Sequence, residues 1–174
     1  MDLRAIALLG VVLASASARA EGPPALEPLA FLIGEWSPVG SGQPDQGSGA
    51  SVFSRALQGR VILRTSYAEY RAGGGAASRH DDLLVIYAGA GGVRADYYDS
   101  EGHVIRYGVD VPTAGQVVFL SESVTGEPRY RLTYRLEGGG KLDGEFAIAP
   151  PGVPEAFKTY LSWVSSKARV SGPK

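Results

Sequence analysis

The most constraining feature of the sequence is a strict two-residue alternation over residues 129–136, RYRLTYRL. Even-numbered positions carry tyrosine or leucine, whereas odd-numbered positions carry three arginines and a threonine. Because successive side chains of a β-strand point to opposite faces, this segment has one apolar face and one polar face. Such a strand is typical of an antiparallel sheet, and we interpret the arginines as charges on its solvated face.

Short runs rich in β-branched and aromatic residues recur along the whole chain and are separated by glycine-rich turns. A short helical turn over residues 26–33 precedes them and ends at Gly34. We predict strands near residues 35–40, 50–56, 60–70, 82–88, 93–99, 103–110, 116–123, 129–136, 142–148 and 157–166. Consecutive strands joined by short loops indicate a meander rather than a helix-linked parallel sheet.

Closure of this meander would remove the exposed edges that about ten strands leave in an open sheet. The predicted fold class is therefore all-β, an antiparallel up-and-down β-barrel of about ten strands with a short N-terminal helical turn. A barrel of this size either is filled by side chains or holds one small ligand.

The hairpin around residues 100–102 can be assigned a register from its turn. With Gly102 in the left-handed position of a three-residue loop, Asp99 opposes His103. A slip of one residue would mix the apolar and polar faces. The remaining predicted pairs are Tyr97 with Ile105, Ala95 with Tyr107, Val93 with Val109, Tyr98 with Val104, and the ion pair Asp96 with Arg106.

Residues 1–20 have the parts of a secretory signal peptide. Arg4 gives a positive start, residues 5–13 form an apolar run, and Ala18 and Ala20 are small residues before a cleavage point. The chain has no cysteine, so no disulfide supports it in an oxidising compartment. We predict a secreted or periplasmic protein: a signal peptide at 1–20, one barrel domain at 21–170 and a disordered tail at 171–174.

Composition excludes several classes of function. The formal net charge of the 174 residues is -1, so there is no positive surplus to neutralise nucleic-acid phosphates. No apolar run is long enough to predict a transmembrane helix. His80 and His103 are the only histidines and neither lies in a metal-binding spacing, so we predict no metal site.

Two sequence motifs carry a resemblance to a known group of barrels. Gly34-Glu35-Trp36, directly after the helical turn, resembles the Gly-x-Trp signature of lipocalins. With residues 57–60, LQGR, before a long strand, the overall pattern is more similar to nitrobindin-like bacterial members of the calycin superfamily. The resemblance implies a barrel with a central cavity for a small apolar ligand. It also implies that Gly34 and Trp36 close one barrel end, with Lys167 or Arg169 over the indole.

The resemblance fails at the position of a cofactor. Nitrobindin-like proteins bind haem through a histidine on a late strand, whereas this chain has no histidine after His103. The matching region, residues 157–166, offers Tyr160 and Trp163 instead. We therefore expect no haem and no other cofactor.

Tyrosines are the best candidates for ligand contacts. Several fall on strand faces assigned as apolar, and a buried tyrosine needs a partner for its hydroxyl. Such residues around a lumen would supply polar anchors in an apolar pocket, although a packed aromatic core explains them equally. The predicted ligand-binding residues are Tyr67, Tyr97, Ile105, Tyr107, Tyr130, Leu132, Tyr134 and Trp163.

The leading hypothesis is a barrel that binds a small, largely apolar molecule in its lumen. A second hypothesis is a barrel enzyme, an isomerase, cyclase or hydrolase, in which Asp99 orients His103 beside a lumen tyrosine. A competing interpretation of that pair is structural, with Asp99 holding backbone amides of the turn. A third hypothesis is a protein-interaction or inhibitor module that uses the loop at residues 71–79. The sequence leaves the ligand, any enzyme activity and the oligomeric state open.

Overall fold

The computed structural model describes residues 24–39, 48–70 and 78–168. The predicted signal peptide, the predicted tail and residues 71–77 of the loop lie outside the described residues. The chain begins there with a 3-10 helix at Pro24–Leu32. The strands that follow are β1 (Gly34–Pro38), β2 (Gly49–Ala56), β3 (Val61–Tyr70), β4 (Ser78–Gly89), β5 (Gly92–Asp99), β6 (Val104–Asp110), β7 (Gln116–Ser121), β8 (Arg129–Glu137), β9 (Lys141–Ala149) and β10 (Lys158–Lys167).

These ten strands form a closed barrel in which every strand pairs antiparallel with its sequence neighbour. The ladder closes where β1 pairs with β10, for example Trp36 opposite Lys167. The predicted fold class is confirmed. The largest boundary difference is the start of β4, predicted at residue 82 and observed at Ser78. Its polar first residues resembled a loop, but they extend the ladder with β3 as far as Tyr70 opposite Ser78.

The predicted hairpin register is confirmed between β5 and β6. Tyr97 pairs with Ile105 and Ala95 with Tyr107, and Gly102 has the left-handed φ of 92° that the turn requires. The predicted ion pair of Asp96 with Arg106 is wrong, although the two residues are in register. The Asp96 carboxylate instead accepts a hydrogen bond from the Tyr87 hydroxyl at 3.2 Å.

The 3-10 helix closes one end of the barrel, which we call the helix end. A 3-10 helix has three residues per turn, so Leu26, Leu29 and Leu32 share one face. All three are completely buried in the same core as Trp36. The ion pair between Glu27 of the helix and Arg55 of β2, at 2.9 Å, also joins the helix to the barrel wall. The opposite end, which contains the turn between β5 and β6, is the distal end.

Trp36 links the helix to the closing pair of strands. Its Nε1 donates a hydrogen bond to the Leu32 carbonyl at 2.7 Å, and the Lys167 Nζ lies 5.2 Å from its ring centroid. Gly34 has a φ of 137°, and a Cβ there would lie 2.7 Å from the Lys167 Cε. Gly34 and Trp36 therefore lie at the helix end, and Lys167 occupies the stacking position that the resemblance implies. Arg169 is outside the described residues.

We expect Trp36→Phe to lower the free energy of unfolding by about 1–3 kcal/mol, because the buried indole donor to Leu32 is lost. Urea unfolding followed by circular dichroism measures the change. A matched control is Trp163→Phe, which replaces the other tryptophan and leaves the contact with the helix intact. Equal unfolding midpoints for Trp36→Phe and the wild type would contradict this role.

Candidate functional site

The inner face of the barrel differs between its two ends. Near the helix end and the middle, Val93 and Val109 are partly buried, but many inner side chains are fully buried, including Ile62, Ile86, Ala95, Val117, Phe119 and Leu142. Towards the distal end, inner aromatic and aliphatic residues pack against this core yet are only partly buried. They are Tyr97, Ile105, Tyr130, Phe146 and Trp163, and we call this surface the distal basin.

Aromatic rings form one wall of the distal basin. Tyr130 stacks on Phe146 with centroids 5.9 Å apart and an interplanar angle of 9°. Trp163 meets Tyr134 edge-to-face at 6.0 Å. The indole fits because its cross-strand neighbour is Gly144, where a Cβ would lie only 2.2 Å from Trp163 Cε2. The wall is thus a set of rings held by packing.

Arg64 lies beneath this wall, on the inner face of β3, with only 5% of the residue exposed. Its guanidinium donates hydrogen bonds to the Asp82 carboxylate and the Tyr134 hydroxyl. Its Cζ lies 5.9 Å from the Tyr97 ring centroid. The Nε is buried and has no hydrogen-bond partner among the described residues. Burial opposes the charge, but Tyr134 and Asp82 outweigh it and raise the pKa of Arg64, so the guanidinium stays charged.

The prediction that Tyr67 faces the lumen is wrong. In β3 the inner positions are even-numbered, and Ser66 faces Asp82 across the ladder. Tyr67 therefore points outward, where the Arg79 Cζ lies 4.3 Å from its ring centroid. The alternation of this strand is masked in the sequence because an arginine, Arg64, takes an inner position. Arg64 has an even number, like the other inner positions of β3, and this could have revealed its inner location from the sequence. The sequence analysis did not identify Arg64.

The other predicted ligand-binding positions all lie on the inner face. Tyr107, Leu132 and Tyr134 belong to the buried core, while Tyr97, Ile105, Tyr130 and Trp163 line the distal basin. The structure thus brings most of the predicted set together. Whether these residues contact a ligand stays a prediction.

Burial raises the pKa of the inner tyrosines Tyr97, Tyr107 and Tyr134 above the ordinary tyrosine value. The nearby Asp82 carboxylate acts in the same direction on each of them. Their hydroxyls therefore stay protonated at neutral pH. They are suited to hydrogen bonding and not to action as anionic bases or nucleophiles.

The predicted proximity of Asp99 and His103 is confirmed at the distal end. His103 Nδ1 lies 2.9 Å from Asp99 Oδ2. The other carboxylate oxygen, Oδ1, accepts hydrogen bonds from the backbone N–H groups of Glu101 and His103 at 3.0 and 2.9 Å. Burial pushes the pKa of Asp99 upward, but these hydrogen bonds outweigh it and lower the pKa below its usual value. Asp99 thus holds both the turn and the imidazole.

His80 belongs to the same group, which the sequence analysis missed. Its Nε2 lies 3.1 Å from the Tyr97 hydroxyl and its Nδ1 lies 3.1 Å from Glu101 Oε1. The sequence indicated only a solvated strand start at residues 80–82. The register of β4 on β5 sets Asp82 opposite Asp99 and so brings His80 to the turn that follows β5.

Two depressions lie on the outer wall of the barrel. One, of about 390 Å³, lies over β8, β9 and β10 next to Gly144 and Trp163. The other, of about 380 Å³, crosses β3, β4 and β5 at Thr65, Leu83 and Tyr98. Apart from Trp163, the predicted ligand-binding residues line neither of them.

Comparison with known protein families found no family model that matches the chain, and comparison with curated proteins found no matching sequence. The structure defines a closed ten-strand antiparallel barrel, which is consistent with a calycin-like fold. Membership of the calycin superfamily stays a prediction. Within the described ranges, no helix has both the length and the apolar character needed to cross a membrane.

We expect Asp99→Asn to lower the free energy of unfolding at pH 7 by about 1–3 kcal/mol, because charge-assisted hydrogen bonds are lost. The pKa of Asp99 is lowered in the fold, so its ionised form stabilises the native state above the unfolded-state pKa of about 4. That stabilisation is lost as the pH falls through the folded-state pKa. The difference in urea unfolding between wild type and variant should therefore shrink as the pH is lowered below about 4.

The matched control is Asp143→Asn, on the outer face of β9, which should leave the unfolding midpoint near that of the wild type. A difference between Asp99→Asn and wild type that stays constant from pH 7 to about pH 3 would contradict the assigned hydrogen bonds.

Proposed function

We propose that the protein binds a small, largely apolar molecule in the distal basin. The observation that carries this proposal is the cluster of five partly buried inner side chains at the distal end of the barrel, four of them aromatic. Small-molecule sites in proteins are concave and mainly apolar, with a few polar groups that fix orientation. The distal basin supplies the apolar side chains of such a site, with the polar groups of Arg64 and Tyr97 next to them.

The walls of the distal basin favour a flat or aliphatic ligand body. The stacked Tyr130 and Phe146 rings present π-faces and edges at fixed positions. The half-buried Trp163 is fixed by Gly144 and Tyr134. Because packing already orders these side chains, a ligand would lose little affinity to their immobilisation.

The floor favours a ligand with one hydrogen-bond acceptor. Within the described ranges the Arg64 Nε is a buried donor without a partner, and such a group costs about 1–3 kcal/mol until it is satisfied. Asp82 already neutralises the guanidinium, so a neutral carbonyl or hydroxyl oxygen would suffice. We therefore infer an apolar ligand with a single oxygen-bearing polar end.

We also propose that the protein acts outside the cytoplasm, in the periplasm or as a secreted protein. The support is the sequence of residues 1–20, with its positive start, apolar run and small residues before Ala20. The chain has no cysteine, so its stability outside the cytoplasm would come from the packed core of the barrel.

A catalytic role of Asp99 and His103 is a second candidate, favoured by the 2.9 Å contact between their side chains. His103 is 64% exposed, so its ring is accessible to a substrate at the distal end. If this candidate is correct, His103→Ala would abolish turnover of a substrate while the circular dichroism spectrum stays unchanged. Retained turnover in a folded His103→Ala protein would exclude it.

The binding proposal can be tested by titration with an anilinonaphthalene sulfonate probe, followed by probe emission and energy transfer from tryptophan. We expect saturable binding to wild type and about tenfold weaker binding to Tyr130→Ala, because the loss of one stacked ring costs about 1–1.5 kcal/mol. Native mass spectrometry of the same preparations would identify any ligand that is retained on purification.

Tyr67→Ala is the matched control, since it removes the same side chain from the outer face of the barrel. It should bind the probe as the wild type does. Absence of saturable probe binding, or equal loss in Tyr67→Ala and Tyr130→Ala, would contradict a ligand site in the distal basin.

A further inference from the structure

We propose that His80, Asp99 and Glu101 form a binding site for one divalent transition-metal ion, of which Zn²⁺ is the best match. One ligand atom from each residue lies within 4.8 Å of the other two. His80 Nδ1 and Glu101 Oε1 are 3.1 Å apart. In a tetrahedral zinc site with bonds of about 2.1 Å, ligand atoms lie about 3.4 Å from each other, so only small side-chain shifts are needed.

The local charge favours a divalent cation. Three carboxylates converge here, from Asp82, Asp99 and Glu101; Asp82 Oδ2 lies 3.8 Å from His80 Nε2. The guanidinium that contacts this group is that of Arg64, which is bound to Asp82. One arginine against three carboxylates leaves an excess of two negative charges. A bound Zn²⁺ would cancel this excess where the Asp99 side chain is only 4% exposed.

Neighbouring groups orient the three candidate ligands. The Tyr97 hydroxyl contacts His80 Nε2 at 3.1 Å, which leaves Nδ1 directed at Glu101. His103 Nδ1 contacts Asp99 Oδ2 at 2.9 Å. A hydrogen bond to the second nitrogen of a ligating histidine, and another to a ligating carboxylate, is the usual support of a metal site. Both kinds of contact exist here, from Tyr97 to His80 and from His103 to Asp99.

The ligand types decide the metal class. One imidazole with two carboxylates suits zinc and similar first-row ions, whereas calcium and magnesium prefer oxygen ligands throughout. Three protein ligands leave a fourth position for water or another small molecule. The competing explanation is that the contacts among these side chains only hold the turn together and that no metal binds. The test below separates these two states.

The experiment uses the full chain without a histidine tag, stripped with a chelator and titrated with ZnCl₂ by isothermal calorimetry at pH 7.5. We expect one Zn²⁺ per chain, and Co²⁺ in its place should give visible absorption bands of a low-coordinate site. Glu101→Ala and His80→Ala should each weaken zinc binding at least tenfold. His103→Ala should weaken it about 10–100-fold through loss of the support to Asp99.

Asp81→Ala is the matched control, because it removes a carboxylate next to His80 from the outer face, where Asp81 pairs with Arg79. It should bind zinc as the wild type does. Glu101 is 60% exposed on a turn, so its replacement by alanine should not disturb the fold. Glu101→Ala therefore tests zinc binding even if His80→Ala does not fold. Absence of stoichiometric zinc binding, unchanged binding in Glu101→Ala, or equal loss in Asp81→Ala would overturn the proposal. None of these variants alters Tyr130, so failure here is separable from failure of apolar ligand binding.

Discussion

Closure of the hydrogen-bond ladder between β1 and β10 is the constraint on which the rest of the structure depends. Once the ladder is closed, the two-residue alternation of every strand separates an inner face from an outer face. The short β1 is held in the ring from both sides, by β2 and β10, and from within by Trp36. Lys167, on the closing strand β10, stacks on that tryptophan. Trp36 therefore contacts both the helix and the strand that closes the barrel.

The two ends of the barrel consequently have different chemistry. At the helix end, three leucines of the 3-10 helix and the tryptophan are buried in the core and cover the end of the barrel. Towards the distal end, no comparable apolar plug occurs in the part of the chain that the structure describes. The partly buried rings of Tyr130 and Trp163 are therefore supported by a packed core beneath them and remain accessible above it. A small-molecule site requires side chains that are held firmly by the core beneath them and that a ligand can reach from above.

Charge inside the barrel is compensated in two layers. The deeper layer is the pair of the buried Arg64 with the mostly buried Asp82, and the Tyr134 hydroxyl accepts a further hydrogen bond from Arg64. The outer layer contains Asp99 and Glu101 together with His103 and His80, whose ring nitrogens contact these carboxylates. The two proposed sites share Tyr97, whose ring faces the distal basin and whose hydroxyl touches His80.

Much of the fold was determined by the sequence itself. Alternation and turn residues are local properties, so they predicted the strands, the meander and the register around Gly102, including the contact of Asp99 with His103. A local pattern misleads where one residue breaks it. Arg64 occupies an inner position of β3, so the sequence analysis took the wrong face of this strand as apolar and placed Tyr67 inside. Only the tertiary structure decided that Arg64 is buried against Asp82 and Tyr134, and that His80 meets Glu101. The contact of Arg64 with Tyr134 joins strands distant in sequence, and the other contacts depend on the register between neighbouring strands. No residue spacing along one strand encodes either.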